Sequence, residues 1–217
     1  MTPASSDAWL QDLRGRFVVF DGPDGSGKTT QFRRFLRYAE QGGLEVCQVR
    51  EPGGTVIGEQ VRTLLLDPQY DMMDVRTEVM LYMASRAQLV AERVGPDLAR
   101  GCFVLADRFI SSTLAYQGTA GGIGQSDILQ IGRVAVGNCW PDLIILFDVD
   151  EATAAKRLNP LLDRVEQKGA QYHRRVRQGY LQQAEADPQR YAIIDARPDV
   201  DTVFATVVST IRSRLGK

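Results

Sequence analysis

Phe17-Val18-Val19-Phe20-Asp21-Gly22-Pro23-Asp24-Gly25-Ser26-Gly27-Lys28-Thr29-Thr30 is the stretch from which the rest of the chain can be read. Its first five residues form an apolar run closing on an aspartate, the pattern of a strand covered on both faces. Gly22 through Thr29 match GxxxxGK(S/T) at every fixed position, between that strand and a helix starting near Lys28. In such a loop the glycines let the backbone curl so that successive N–H groups point inward, and the helix N-terminus adds a partial positive charge. Gly22, Pro23, Asp24, Gly25, Ser26, Gly27, Lys28, Thr29 and Thr30 are therefore the expected cradle for the phosphates of ATP. Lys28 would bridge the β and γ phosphates, and the Thr29 hydroxyl would coordinate magnesium. The competing reading is a glycine-rich turn with no ligand.

Four further apolar runs, at 45–49, 103–107, 143–148 and 191–195, read as strands. Most are apolar throughout, as expected for a parallel sheet covered on both faces. Between the strands, apolar residues recur at helical spacing: Phe32, Phe35 and Leu36; Val61, Leu64 and Leu65; Val79, Met80, Met83 and Leu89; Ile128, Ile131, Val134 and Ala135. Strands alternating with helices predict an α/β chain with right-handed crossovers. The expected architecture is a three-layer P-loop NTPase fold, with a five-stranded parallel sheet flanked by helices and a short lid at about 158–170. Residues 1–14 read as an N-terminal extension and 15–217 as one domain. Asp21, Asp107, Asp148 and Asp195 each close a strand, and ligands in open α/β sheets bind beyond those ends.

With 217 residues, one compact domain is the simpler reading. The 26 basic and 27 acidic residues leave a net charge of -1, so no global field favours nucleic acid and anionic ligands must be held locally. Cys47, Cys102 and Cys139 show no CxxC spacing and read as reduced thiols. His173 is the single histidine, which removes a multi-histidine metal site. Residues 1–14 lack the apolar core of a signal peptide, and no run approaches the ~20 apolar residues needed to cross a bilayer. A cytoplasmic protein without a nucleic-acid or membrane partner is expected. The guanine signature NKxD of GTPases does not occur, and the strand ending Leu105-Ala106-Asp107-Arg108 lacks the paired acids of transport ATPases. An aspartate followed by arginine suits a second anionic substrate beside a metal.

The P-loop is followed in order by Arg50-Glu51-Pro52-Gly53-Gly54-Thr55, by Asp107-Arg108-Phe109 continuing to Ala115-Tyr116-Gln117-Gly118, and by Asp163-Arg164-Val165-Glu166. Together these four segments resemble the thymidylate kinases of bacteria. The resemblance implies ATP-dependent conversion of dTMP to dTDP, with Mg2+, by a homodimer. It implies that Arg108 contacts the acceptor phosphate and that Asp107 helps hold the metal, though Asp107 also fits a helix N-cap. It sets Asp24 near the sugar 3′-hydroxyl, Glu51-Pro52 in a loop with a cis proline, and Arg62 near the acceptor's 5′ side. Tyr82 would stack on the base, where relatives carry phenylalanine, or serve as a core aromatic. Arg86 would bond thymine O4, Ser112 and Thr113 would lie at the N3 edge, Tyr116 under the deoxyribose, and Gln117 close by.

The lid departs from the family pattern. Relatives carry a stretch like RARGELDRIE, whose arginine reaches the ATP phosphates, whereas this chain has Asn159 and Pro160 inside the corresponding run. Arg164 and Arg157 are the candidates for the missing cation, and Arg164 fits equally a solvated ion pair with Glu166 or Asp163. An ATP-driven switch without a nucleotide acceptor is the reading from a different class, and another nucleoside monophosphate kinase is the nearest alternative.

Overall fold

The computed structural model describes residues 7–157 and 163–216. Its strands are β1 (Phe17–Asp21), β2 (Val46–Arg50), β3 (Phe103–Asp107), β4 (Leu143–Asp148) and β5 (Tyr191–Asp195). All but β2, shifted by one residue, fall on the expected limits. They form one parallel sheet in the order β2-β3-β1-β4-β5. The central β1 is buried throughout, and its side chains sort by pleat: Phe17 and Val19 enter one core, Val18 and Phe20 the other. The edge strands β2 and β5 are not buried throughout. Gln48 and Arg50, like Ile193 and Asp195, are exposed, because an edge is only partly covered by helices.

The helices are α1 (Lys28–Gln41), α2 (Val56–Leu66), α3 (Val75–Leu89), α4 (Gly95–Ala99), α5 (Ile110–Thr113), α6 (Gln125–Val136), α7 (Glu151–Arg157), α8 (Ala170–Ala186) and α9 (Val200–Leu215). Thr55 caps α2 by accepting from Gly58 N at 2.9 Å, which aligns the loop before it. α5 runs directly into a π turn, Leu114–Thr119, whose widened winding carries Tyr116 and Gln117. Because Phe20 lies in register with Asp107, the loops after β1 and β3 emerge side by side at one end of the sheet.

Residues 8–13, inside the expected N-terminal extension, pack against the sheet. Ala8–Leu13 is a 3-10 turn whose Trp9, Leu10 and Leu13 are buried with Val18, Phe20 and Phe35. Two turns of 3-10 winding are too short to stand out in a sequence, yet they help to cover one face of the sheet. Leu13→Ala should therefore destabilise the whole domain by ~2–5 kcal/mol, the usual range for a cavity of this size. The urea midpoint measures it, and an unchanged midpoint would mean that this turn does not dock.

Candidate active site

Two cavities open at the ends of the strands. The first, about 570 Å³, is lined on one side by Gly25, Ser26, Gly27, Lys28, Thr29 and Thr30, and on the other by Arg157, Arg197 and Asp199. Gly25 and Gly27 adopt φ of 75° and 81°, where a side chain is disfavoured, and a Cβ on Gly25 would run into the backbone of Ala154. Ser26 Oγ is buried without a partner among the described residues. A buried hydroxyl at the mouth of α1 suits a phosphate oxygen. Gly22, Pro23 and Asp24 stand outside this cavity. Gly22, at φ 147°, packs on the backbone of Phe147 and makes the turn, and Asp24 faces the other way.

The second cavity, about 340 Å³, gathers every residue assigned above to the acceptor: Asp24, Glu51, Pro52, Arg62, Tyr82, Arg86, Arg108, Ser112, Thr113, Tyr116 and Gln117. Lys28 and Thr29 line both cavities. The Thr29 hydroxyl lies 3.5 Å from Asp107 Oδ2, so two hard oxygen donors of the kind magnesium prefers stand together where the cavities meet. Among the described residues no group of three or more His, Cys, Asp or Glu could hold a metal, so the remaining ligands would come from nucleotide and water.

Arg108 is the most heavily held side chain here. Its backbone has φ 70°, outside the range ordinary side chains prefer. Nη1 donates to Ser112 Oγ at 3.0 Å, Tyr180 OH at 3.1 Å and Gly22 O at 3.2 Å, and Nη2 pairs with Asp24. Tyr116 OH donates to the other Asp24 oxygen at 2.6 Å. Burial alone would raise the Asp24 carboxyl, but Arg108, Lys28 and the Tyr116 hydroxyl outweigh it and bring its pKa down to about 2. Asp24 is thus an ionised acceptor that orients Arg108.

Deeper in, Arg86 is buried, with Nε donating to Glu51 Oε2 at 2.8 Å and Nη2 to Thr113 Oγ1 at 3.1 Å. Burial pushes the Glu51 carboxyl up to about 7 against the pull of Arg86, and Glu51 Oε1 has no partner among the described residues. The Glu51-Pro52 bond is cis, and Arg62 Nη1 donates to Pro52 O at 3.0 Å.

The thymidylate kinase family model matches residues 20–207. The chain is 39% identical over 207 residues to the thymidylate kinase of Geobacillus sp. (strain WCH70), covering 94% of this chain and 99% of the relative. It is 40% identical to that of Bacillus cereus (strain Q1), covering 94% of this chain and all of that one. The crystal structure of thymidylate kinase from Ehrlichia chaffeensis superposes with a TM-score of 0.75 at 31% identity, covering 92% of this chain and 99% of that chain. The chain belongs to the thymidylate kinase family.

The family's lid motif is divided in this member. Arg157 lines the first cavity, with Nη1 donating to Ala196 O at 2.9 Å. Arg164, expected as a catalytic lid cation or as a solvated ion pair, lines neither cavity. It is buried, donating from Nε to Leu65 O and from Nη1 to Glu78 Oε1, both at 2.8 Å. Asp163 is spent on the backbone N–H groups of Val165 and Glu166, so it leaves Arg164 free to turn inward. Asn159 and Pro160 lie outside the described residues.

Two further residues support this thymidylate kinase site without having been assigned a role from the sequence. Asp21, fully buried, accepts from Gly22 N, Ser111 Oγ, Ser112 Oγ and Tyr180 OH at 2.5–2.9 Å. Tyr180 in turn supports Arg108 from α8, 72 residues away. Asp21 was visible as a strand end. Tyr180 carried no signal in the sequence.

Proposed function

We propose that this chain transfers the γ-phosphoryl group of ATP to the 5′-phosphate of dTMP, yielding ADP and dTDP in the supply of dTTP. The observation that carries the reading is that Lys28 and Thr29 border both cavities, so a donor held in the first and an acceptor held in the second would bring their phosphates together there. An acceptor phosphate oxygen attacks the γ-phosphorus and the bond to the β-γ bridging oxygen breaks, releasing ADP. Inward P-loop N–H groups, Lys28 and Arg157 hold the donor phosphates, and Arg108 binds the acceptor phosphate. Each offsets negative charge without moving during the step, which is what electrostatic catalysis requires. Mg2+, held through Thr29 and Asp107, would neutralise charge on the donor phosphates.

The test is ADP release from ATP with a panel of nucleoside monophosphates. The expected result is the highest kcat/KM with dTMP, whereas ADP release independent of any acceptor would support an ATP-driven switch instead.

Tyr116 supports a deoxyribose reading, because its hydroxyl anchors Asp24 while its ring forms part of the cavity wall. An aromatic wall offers a ribose 2′-hydroxyl no partner, and burying that group unpaired costs ~1–3 kcal/mol. Tyr116→Ala should therefore narrow the preference for dTMP over its ribonucleotide by roughly 5- to 150-fold. Equal ratios in wild type and variant would refute this role.

Cytoplasmic residence and a homodimer complete the reading. Among the described residues no helix is long and apolar enough to cross a membrane. Leu64, Met80 and Val134, expected from their spacing to be core-facing, are exposed on α2, α3 and α6, and α3 contacts both of the other helices. Such apolar positions suit a partner surface. Sedimentation equilibrium should give twice the chain mass, and Val134→Glu with Met80→Glu should give a monomer.

A further inference from the structure

Glu78 is a buried carboxylate on α3, one helical turn before Tyr82 and two before Arg86, and it belongs to neither cavity. Three donors converge on it. Lys168 Nζ and Arg164 Nη1 reach Oε1 at 2.6 and 2.8 Å, and Gln117 Nε2 reaches Oε2 at 2.9 Å. A charge removed from water needs such partners, and two cations from the flank of the lid hold this one ionised. Burial would raise its pKa, but Lys168, Gln117 and Arg164 outweigh burial and lower it.

An ionised carboxylate can only accept hydrogen bonds. The two ends of the Gln117 amide are therefore not interchangeable: the NH2 must face Glu78, and the carbonyl Oε1 is the amide atom left for the acceptor cavity that Gln117 lines. Across that cavity Arg86 presents only donors.

We propose that Glu78 is a positioning residue for base selectivity, fixing Gln117 so that its carbonyl oxygen accepts the ring N–H of a thymine-type pyrimidine and opposes the bare ring nitrogen of a cytosine. This rests on the dTMP reading above and extends it. Thymine and uracil carry hydrogen on N3, and cytosine carries a lone pair there. A carbonyl facing that lone pair forms no bond, leaving both acceptors unpaired. Lys168 and Arg164 act one step further out, keeping Glu78 an acceptor only, so the flank of the lid and the reading of the base share one buried group.

Specificity constants for dTMP, dUMP and dCMP test this in the full-length wild type, Glu78→Gln, Gln117→Leu and the double variant. Glutamine at 78 can donate or accept, so the Gln117 amide is free to present its NH2 to the ring. The dTMP:dCMP ratio should then fall about tenfold in Glu78→Gln, equivalent to ~1.4 kcal/mol. The dTMP:dUMP ratio should not change, since both rings carry the N3 hydrogen. Gln117→Leu should lower the first ratio similarly, and adding Glu78→Gln should lower it no further, since coupled residues are not additive. Glu78→Asp, which still only accepts, should retain the wild-type ratio.

A purely structural Glu78 would depress all three substrates together, and unchanged ratios in Glu78→Gln would overturn the proposal. Should that variant fail to fold, Gln117→Leu decides: a dTMP:dCMP ratio within twofold of wild type overturns it equally. A wild type that does not prefer dTMP over dCMP would instead refute the acceptor reading beneath it.

Discussion

Lys28→Ala should lower kcat by ~10²-fold or more, the usual loss when one fixed charge aimed at a transition state is removed. Lys28 opens α1, is buried between the two cavities, and lies 3.8 Å from Asp24. Burial, then the neighbouring Arg108, lower its pKa against the opposing pull of Asp24, Asp107 and Asp21, so its charge stands among three carboxylates and is little shielded by water. Asp24 keeps Arg108 and Tyr116 when the lysine is gone. The variant should accordingly melt near the wild-type temperature. Steady-state rates at saturating ATP and dTMP measure the effect, and activity within a few-fold of wild type in folded protein would show that the P-loop is not the donor site.

The second large effect is expected for Arg86→Ala, and it should fall on the acceptor. A site built to hydrogen-bond a base leaves its own groups unpaired when one partner is deleted, at ~1–3 kcal/mol. The KM for dTMP should rise by roughly 5- to 150-fold while that for ATP stays unchanged, because Arg86 lines only the second cavity. A raised KM for ATP with an unchanged KM for dTMP would assign the cavity to the wrong substrate.

The same variant should reveal Glu51. Burial already raises this carboxyl from 4.5 to about 7, and Arg86 is what opposes the rise. A group whose pKa is raised by folding favours the folded state below its ordinary value, and that advantage is lost as pH rises through the folded pKa. In the wild type the loss is complete a little above pH 7. Without Arg86 it extends further upward, so urea midpoints at pH 6 and pH 8 should diverge more in Arg86→Ala than in wild type. Equal divergence would mean that Glu51 does not depend on Arg86 for its charge.

How much of the site could be read in advance depended on what kind of contact each residue makes. Gly25, Gly27, Lys28 and Thr29 act through one short loop whose geometry is local, so their spacing carried the information. The acceptor residues were recognisable only by resemblance, because Glu51, Arg86 and Thr113 lie on three separate elements and meet only when the sheet is assembled. Asp107 and Asp21 both close strands and looked alike. In the fold, one stands beside Thr29 and the other is enclosed by Ser111, Ser112 and Tyr180.

The α/β class, four of five strand limits and the phosphate cradle were determined by the sequence alone, since pleat, helical period and glycine spacing are short-range properties of a chain. Tertiary structure decided three other matters. It placed Trp9, Leu10 and Leu13 in the core, where a sheet face needed covering. It turned Arg164 inward to Glu78 and left Arg157 at the donor cavity, a choice between two arginines that no local rule distinguishes. It also gave Arg108 its support from Tyr180 and Asp24. Each of these depends on which distant groups share a buried volume, where an unpaired charge is costly, and long-range proximity is what a linear pattern does not encode.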